Sequence, residues 1–205
     1  KCVSKYKITC RDIDGNEYKT VKIGNQTWMA ENLKVTHFRN GDPISPRYSD
    51  NEWKKLDTAA YAVYDNEPVN AETYGHIYNW YAVRDVRSIC PEGFHVPTDE
   101  EWSELTDFLG VNAGSQLAGH AELWSSCELT YNPGFGASRF AVLPGGYRYN
   151  YKGTCYYMGR IGYFWSYTPY NSGNAWCLKL DRNDSGVTRY SLHKRFGFSV
   201  RCLGN

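Results

Sequence analysis

The sequence lacks any long apolar run, since no stretch of its 205 residues approaches the eighteen or so apolar residues that a membrane-spanning helix requires. No apolar segment typical of a signal peptide is visible at the start, so we expect any export signal to have been removed or to lie outside this chain. An excess of charge of one sign is also missing, because the formal net charge is +1 and the basic residues form no stripe. These absences exclude a membrane span within the chain and disfavour nucleic acid as a partner.

Closely spaced cysteine pairs are absent, because the seven cysteines never occur as Cys-x-x-Cys. Neither a zinc ribbon nor a thioredoxin-type redox motif fits this spacing. Wide spacing and only two methionines instead indicate disulfides and an extracytoplasmic compartment. The odd number leaves at least one thiol unpaired, and Cys177 in the strand-like AWCLKL is the candidate for a buried free thiol. Proximity and elimination suggest two further pairs, Cys2 with Cys10 and Cys127 with Cys155.

Motifs of catalysis and of metal binding are scarce. The five histidines show neither His-Glu-x-x-His nor a paired i, i+4 spacing, and no Gly-x-Ser-x-Gly segment is present. Asp181, Asn183 and Asp184 offer oxygen ligands, but the distant glutamate of an EF-hand is missing, so a polar loop is the preferred interpretation. We therefore expect no enzyme activity, no bound metal and no cofactor.

The clearest helix signal lies in VPTDEEWSELTDFLG, residues 96–110. Thr98 is a typical N-cap, Glu101 stands three residues later as its capping-box partner, and Gly110 marks the end. Two earlier helices are predicted in SDNEWKKLD, with Ser49 or Asp50 as N-cap, and in AETYGHIYNWYAVRD. The pair Gly24-Asn25, between YKTVKI and QTWMAENL, indicates a β-hairpin.

After Gly119 the pattern changes to short segments rich in β-branched and aromatic residues, separated by Gly, Asn, Asp and Pro. These segments are FAVLPGGYR, GYFWSY, NAWCLKL, GVTRYSL and FGFSVRC. Helices in the first half and strands in the second predict an α+β fold with an antiparallel sheet and long loops, rather than a doubly wound parallel sheet. The length and a hydrophobic content of 41% fit one domain over residues 1–205, with 1–9 as an N-terminal lead-in.

Tyrosines are concentrated near the end of the chain, where the last 59 residues hold nine of the eighteen. Tyrosine supplies a large, stiff contact surface, and the Asn, Ser and Gly between the tyrosines supply adaptable hydrogen bonds, so the mixture is typical of a recognition surface. The alternative is ordinary packing on the half-buried face of a sheet. Because successive strand residues point to opposite faces, Tyr156 and Tyr157 are expected on opposite sides.

The apolar core under these strands is expected to consist of Trp165, Trp176, Phe196 and Phe198. The tyrosines are then in excess, and an exposed aromatic excess indicates a partner. We therefore predict that a ligand site on one exposed face draws on twelve residues: Tyr149, Tyr151, Tyr156, Tyr157, Tyr167, Tyr170, Asn171, Asn174, Arg182, Asn183, Tyr190 and His193.

Six strings occur in order along nearly the whole chain: VKIGNQTWMAENL, GHIYNWYA, CPEGFHVPTDEEW, LPGGYR, GYFWSYTPYNSGNAW and FGFSVRC. Together they resemble the Fibrobacter succinogenes major paralogous domain family. The resemblance implies an extracytoplasmic bacterial protein, often a lipoprotein or surface protein of Bacteroidota or Fibrobacterota. It also implies a fold related to C-type lectins and formylglycine-generating enzymes, and it carries over no defined biochemical activity.

Two further expectations come from this resemblance. In C-type-lectin-like folds a cysteine near a helix start pairs with one on the last strand, and Cys90 and Cys202 occupy these places, so a disulfide between them is implied. The late half of such folds is also similar to the variable proteins of diversity-generating retroelements, in which mutated adenines scatter codons into Asn, Tyr, Ser and Asp. Residues 149–195 are rich in that set.

These observations favour an extracellular, C-type-lectin-like binding module whose tyrosine-rich surface recognises an unknown protein or glycan. One alternative is a carbohydrate-directed accessory or catalytic domain of a bacterial surface protein, in which an exposed Trp53 or Trp124 would stack on sugar. Another is a structural fimbrial or surface component that buries the aromatic segment in a partner subunit.

Overall fold

The structure is a computed structural model that describes residues 9–46, 49–125 and 128–205. The helices in these ranges are α1 Asp50–Trp53, α2 Pro68–Tyr74, α3 Trp80–Val83, α4 Asp99–Leu109, α5 Ala113–Leu117 and α6 Glu128–Tyr131. The strands of the first half are β1 Thr9–Arg11, β2 Glu17–Ile23, β3 Gln26–Met29, β4 Ser45–Pro46, β5 Ala60–Ala62, β6 Ile77–Tyr78 and β7 Phe94–His95. The later strands are β8 Gly145–Arg148, β9 Cys155–Met158, β10 Ile161–Pro169, β11 Asn174–Asp181, β12 Thr188–His193 and β13 Leu203–Gly204.

One sheet joins the two ends of the described chain. Its order is β1-β2-β3-β13-β7, and all of its pairs are antiparallel. The predicted hairpin around Gly24-Asn25 is confirmed as β2 and β3. Leu203 of β13 pairs with Trp28 on one side and with His95 on the other. β13 therefore completes a sheet that β1, β2 and β3 begin.

A second sheet, in the order β12-β11-β10-β8-β9, carries the tyrosine-rich segment, and β4, β5 and β6 form a small third sheet. β10 and β11 pair antiparallel, as do β11 and β12 and also β8 and β9. β10 and β8 run parallel and meet at Gly162 and Gly146. The late sheet, predicted as antiparallel, is therefore mixed, because the chain crosses over between β8 and β10 through β9.

The predicted concentration of helices in the first half is also wrong. α4 spans the middle of the chain, α5 and α6 follow it, and seven strands precede it. The fold is therefore mixed α/β. α5 and α6 have five and four residues, too short for a helical repeat to stand out in the sequence.

The segment AETYGHIYNWYAVRD does not form one helix. α2 ends at Gly75, which has a φ of +73° and lies so close to residue 33 that a Cβ there would be 2.8 Å from the carbonyl oxygen of Leu33. Two residues then pair as β6, and Asn79 caps α3 by accepting a hydrogen bond from the backbone N–H of Ala82 at 3.1 Å. Gly75 and Asn79 therefore interrupt a segment that hydrophobic periodicity alone predicts to be one helix.

The segment FGFSVRC differs from the predicted last strand. Residues 197–199 form only isolated bridges, to Arg148, Tyr78 and Phe164, and the last strand is β13. The expected disulfide between Cys90 and Cys202 is present. Cys177 is a buried free thiol, as predicted, and Cys10 and Cys155 are also free. Cys2 and Cys127, which we paired with these two, lie outside the described residues.

Two large groups of buried side chains flank the second sheet. Trp165, Cys177 and Phe198 lie on one side of it, and Phe164 and Leu178 lie on the other beneath α4. The two tryptophans proposed for exposed sugar stacking are buried, since Trp53 is 0% and Trp124 is 4% exposed. Among the described residues, no helix is long and apolar enough to cross a membrane.

Candidate functional site

The hairpin of β8 and β9 bends at one cross-strand position. Gly146 and Tyr157 lie opposite each other, and both have a positive φ, of 64° and 66°. A side chain at Gly146 is excluded because a Cβ there would lie 2.3 Å from the carbonyl oxygen of Tyr156. The left-handed conformation of Tyr157 breaks the alternation of the strand. The rings of Tyr156 and Tyr157 therefore both contact Tyr147, at centroid distances of 6.0 and 5.8 Å, although we expected them on opposite faces.

Six aromatic rings form a connected patch that we call the tyrosine surface: Tyr147, Tyr149, Tyr156, Tyr157, Tyr163 and Phe196. Tyr147 lies at its centre and contacts the other five rings, with centroid distances from 5.5 to 6.5 Å. Separations in this range are typical of favourable edge-to-face and offset contacts. Tyr157 is 48% exposed and the other five are half-buried, so the surface is accessible from solvent.

A buried ring supports this surface from below. Phe198 is fully buried and stacks on Tyr163 at a centroid distance of 4.6 Å. It also contacts Phe196 at 5.3 Å and the buried Trp165 at 4.4 Å. The tyrosine surface is therefore continuous with the hydrophobic core, which limits the motion of its inner rings.

Arg148 fixes the tip of the hairpin to α1. Its side chain is 1% exposed, its Nε donates to the carbonyl oxygen of Gly153 at 2.6 Å, and its guanidinium lies 4.6 Å from the ring centroid of Trp53. Its Nη2 pairs with Asp50 at 3.3 Å. Burial lowers the pKa of Arg148. Gly153 packs so tightly against α1 that a Cβ there would lie 2.1 Å from the carbonyl oxygen of Asp50.

The tyrosine surface is uncharged and rich in free hydroxyl groups. In the described part of the chain, no hydrogen bond joins the hydroxyls of its five tyrosines to another protein group. Burial, and then the neighbouring Tyr157 and Tyr149, raise the pKa of Tyr147, and burial raises that of Tyr163, so both phenols stay neutral. These hydroxyls can therefore both donate and accept hydrogen bonds to a ligand.

Four of the twelve predicted site residues lie at this surface. Tyr149, Tyr156 and Tyr157 belong to it, and Tyr190 lies at its rim. The strand register places Tyr190 on the same sheet face as Tyr163, because Cys177 pairs with both Tyr190 and Trp165. The ammonium of Lys179 lies 5.4 Å from the ring centroid of Tyr190.

Five other predicted residues lie around the turn between β10 and β11: Tyr167, Tyr170, Asn171, Asn174 and His193. The hydroxyl of Tyr167 accepts a hydrogen bond from Arg84, whose guanidinium lies 4.1 Å from the ring centroid. Tyr170 packs edge-on against Trp176 at 4.9 Å. Asn174 and His193 form a cross-strand pair. Their hydrogen bonds and ring contacts organise this turn and its neighbouring strand ends.

The remaining three predicted residues lie elsewhere. Tyr151, at the tip of the β8–β9 hairpin, is 77% exposed. Arg182 and Asn183 lie in the turn between β11 and β12, at the end opposite to Tyr170. There a side-chain oxygen of Asp181 accepts the backbone N–H of Asn183 at 3.1 Å, which is ordinary turn chemistry. The structure thus distributes the twelve residues over several places instead of one face.

Three members of the tyrosine surface, Tyr147, Tyr163 and Phe196, are not among the twelve residues predicted from the sequence. Phe196 was expected in the core, as was Trp176, but both are only half-buried, whereas Trp165 and Phe198 are buried. A usable signal existed for Tyr147, because its spacing of two residues from Tyr149 places both on one strand face. No metal-binding group of three or more His, Cys, Asp or Glu side chains occurs within the described ranges.

The structure defines a mixed α/β protein with an aromatic surface on one face of its second sheet. The family model of the Fibrobacter succinogenes major domain matches residues 21–203, so the chain belongs to this family. No curated protein and no solved structure shows a significant match to the chain.

Proposed function

We propose that this chain is an extracellular ligand-binding module of a bacterial surface, and not an enzyme, and that the tyrosine surface is its recognition site. The observation that supports this proposal most directly is the set of six connected rings whose five hydroxyls have no protein partner in the described residues. A surface of this kind offers apolar contact area together with hydrogen bonding, as binding paratopes do.

The support under the rings is consistent with this role. Phe198 holds the inner rings from below, and Arg148 ties the hairpin to α1. A rigid aromatic surface loses little side-chain entropy when it binds, so more of the contact energy is available for affinity. A C-type-lectin-like scaffold, with late positions diversified by a retroelement, is part of the same proposal. The ligand is a protein or a glycan.

The experiment compares the wild-type protein with a Tyr149→Ala, Tyr156→Ala, Tyr157→Ala triple variant on a glycan array and on a displayed peptide library. We expect the wild type to select ligands in one of these formats, and the triple variant to lose at least about 30-fold in affinity, since central tyrosines contribute about 2 kcal/mol or more each. The matched control is Tyr131→Ala, which removes a 75% exposed tyrosine on α6. Equal binding by the triple variant and the wild type would refute the proposal.

A further inference from the structure

The second sheet ends in two edge strands of different character. β9 has four residues, and the left-handed conformation of Tyr157 bends it. A short, bent edge strand pairs poorly with a further strand. β12 at the other edge has six residues and an unbroken register with β11, from Asn174↔His193 to Lys179↔Thr188. It contains no proline and no bulge, so nothing in its backbone prevents the addition of a strand.

The hydrogen-bond pattern shows which groups of β12 face outward. The backbone N–H of Lys194 donates to the carbonyl of Gly173 at 2.9 Å, which makes these two a hydrogen-bonded pair. Such pairs alternate along antiparallel strands, so Tyr190 and Leu192 bond to β11 and Arg189 and Ser191 point away from it. Within the described residues, no other strand and no backbone hydrogen bond uses the N–H and C=O groups of Arg189 and Ser191.

We propose that β12 pairs antiparallel with β12 of a second copy of this chain, about a two-fold axis at Tyr190. In this register Arg189 of each copy lies opposite Ser191 of the other copy. The N–H and C=O groups of both residues are then satisfied in both copies. Tyr190 meets its own counterpart in a non-hydrogen-bonded pair, where the Cα atoms approach to about 4.5 Å and side chains contact most closely.

Symmetry favours a second copy over an unrelated strand. Arg189 and Ser191 lie on either side of Tyr190. An antiparallel copy of the same strand therefore pairs Arg189 with Ser191 twice, with the same hydrogen bonds each time. A two-fold contact of this kind closes with two copies. The shared sheet then ends at the bent strand β9 in each copy. The dimer does not depend on the ligand-binding function, although it would place two tyrosine surfaces on one shared sheet.

Charge does not oppose this pairing. Arg189 is already bound by Asp99 through two hydrogen bonds, so its charge is compensated before the second copy approaches. Its guanidinium also lies 3.4 Å from the ring centroid of Trp176, which holds it over its own chain. Lys179, whose ammonium lies 5.4 Å from the ring centroid of Tyr190, pairs with Asp181 at 3.1 Å. Arg189 and Lys179 are therefore both paired within their own chain beside the axis.

The test measures the molar mass of the wild-type protein by sedimentation equilibrium over a wide concentration range, with hydrogen exchange of the Arg189 and Ser191 amides over the same range. We expect a reversible dimer, and slower exchange of both amides as the concentration rises. Ser191→Pro removes an N–H that the β11 ladder does not use, so the fold should survive. It should raise the dimer dissociation constant at least about tenfold.

Ser191→Ala is the matched control, since it removes the hydroxyl and keeps the N–H, and it should dimerise like the wild type. A wild-type protein that stays monomeric at every concentration, with fast exchange of both amides, would overturn the proposal. So would a folded Ser191→Pro variant with an unchanged dissociation constant. If Ser191→Pro does not fold, the concentration dependence of exchange in the wild type decides.

Discussion

At the scale of single residues, the cross-strand pair of Gly146 and Tyr157 shapes the tyrosine surface. A left-handed tyrosine costs of the order of 1 kcal/mol or more, and such strain persists only where the surroundings impose it. At Tyr157 this strain is offset by ring contacts, because the bend brings both Tyr156 and Tyr157 against Tyr147. Gly146 makes the bend possible because it has no Cβ, and the structure leaves no space for one at this position.

Gly146→Ala should therefore destabilise the protein by about 3 kcal/mol or more, because it adds a steric clash to the strain of a positive φ. The matched control is Gly41→Ala, where φ is +89° and no atom lies within 4 Å of the added Cβ. That variant should lose only about 1 kcal/mol from backbone strain. Urea unfolding of both variants measures the difference, and equal losses would show that the clash at Gly146 is relieved at little cost.

Asp14 provides a pH-dependent contact at the same scale. Burial raises its pKa, but hydrogen bonds from the backbone and hydroxyl of Thr36 and from His37 outweigh burial and lower it overall. These contacts measure 2.5 Å, 2.8 Å and 2.6 Å. A carboxyl with a lowered folded-state pKa adds stability above its unfolded pKa, and this contribution is lost as the pH falls through the folded value.

Asp14→Asn should therefore destabilise the protein at neutral pH, and the difference from the wild type should shrink as the pH falls below about 3.8, the ordinary pKa of the carboxyl. Denaturant unfolding at a series of pH values tests this expectation. Asp107→Asn, at an exposed position of α4, is the control and should destabilise the protein less at neutral pH. A constant difference for Asp14→Asn across the series would contradict the assignment.

At the scale of elements, α4 is the helix that local sequence determines best. The predicted capping box is confirmed, since Thr98 accepts the N–H of Glu101 at 3.2 Å and Glu101 accepts the N–H of Thr98 at 2.7 Å. Gly110 ends the helix as expected. Glu101 also pairs with His95 at 2.9 Å, so the start of α4 is joined to β7.

Thr98→Ala should cost about 1 kcal/mol of stability, because it leaves an N–H in the first turn of α4 without its side-chain acceptor. Thr106→Ala, in the middle of the same helix, is the control and should change stability by no more than about 0.5 kcal/mol. Thermal unfolding followed by circular dichroism compares the two variants. If they are equally stable, the cap contributes nothing to the fold.

At the scale of the whole molecule, the final segment connects distant parts of the chain. Arg201 is fully buried, and its guanidinium donates to Asn32 Oδ1 at 2.7 Å and to the carbonyls of Met29, Phe140 and Ala141. Burial lowers its pKa to about 9. The neighbouring Cys202 forms the disulfide with Cys90 across 112 residues. The segment therefore joins β3, the loop before β8 and the lead-in to α4.

Replacing both Cys90 and Cys202 by alanine should destabilise the protein by roughly 4 to 5 kcal/mol, the entropy of closing so long a loop in the unfolded chain. Reduction of the wild type should reproduce most of this loss. Cys155→Ala is the control, since that thiol is free and half-buried. Unfolding curves with and without reductant provide the measurement, and a double variant as stable as the control would contradict the expectation.

Features that depend on neighbouring residues and on family motifs could be predicted from the amino-acid sequence. These are the capped helix α4, the hairpin at Gly24-Asn25, the buried free Cys177 and the membership of the family. Each of these features has a signal within a short segment, because caps and tight turns are chosen by local hydrogen bonds and backbone sterics.

The tertiary structure alone decided where the tyrosines lie relative to one another. Tyr147, Tyr156 and Tyr163 come from three strands, and their contact depends on a parallel crossover and on the bend at Gly146, neither of which has a local signal. Periodicity predicts which residues share a face of one strand, but not which strands become neighbours. The composition therefore predicted an exposed aromatic surface, whereas the packing of distant segments determined which rings form it.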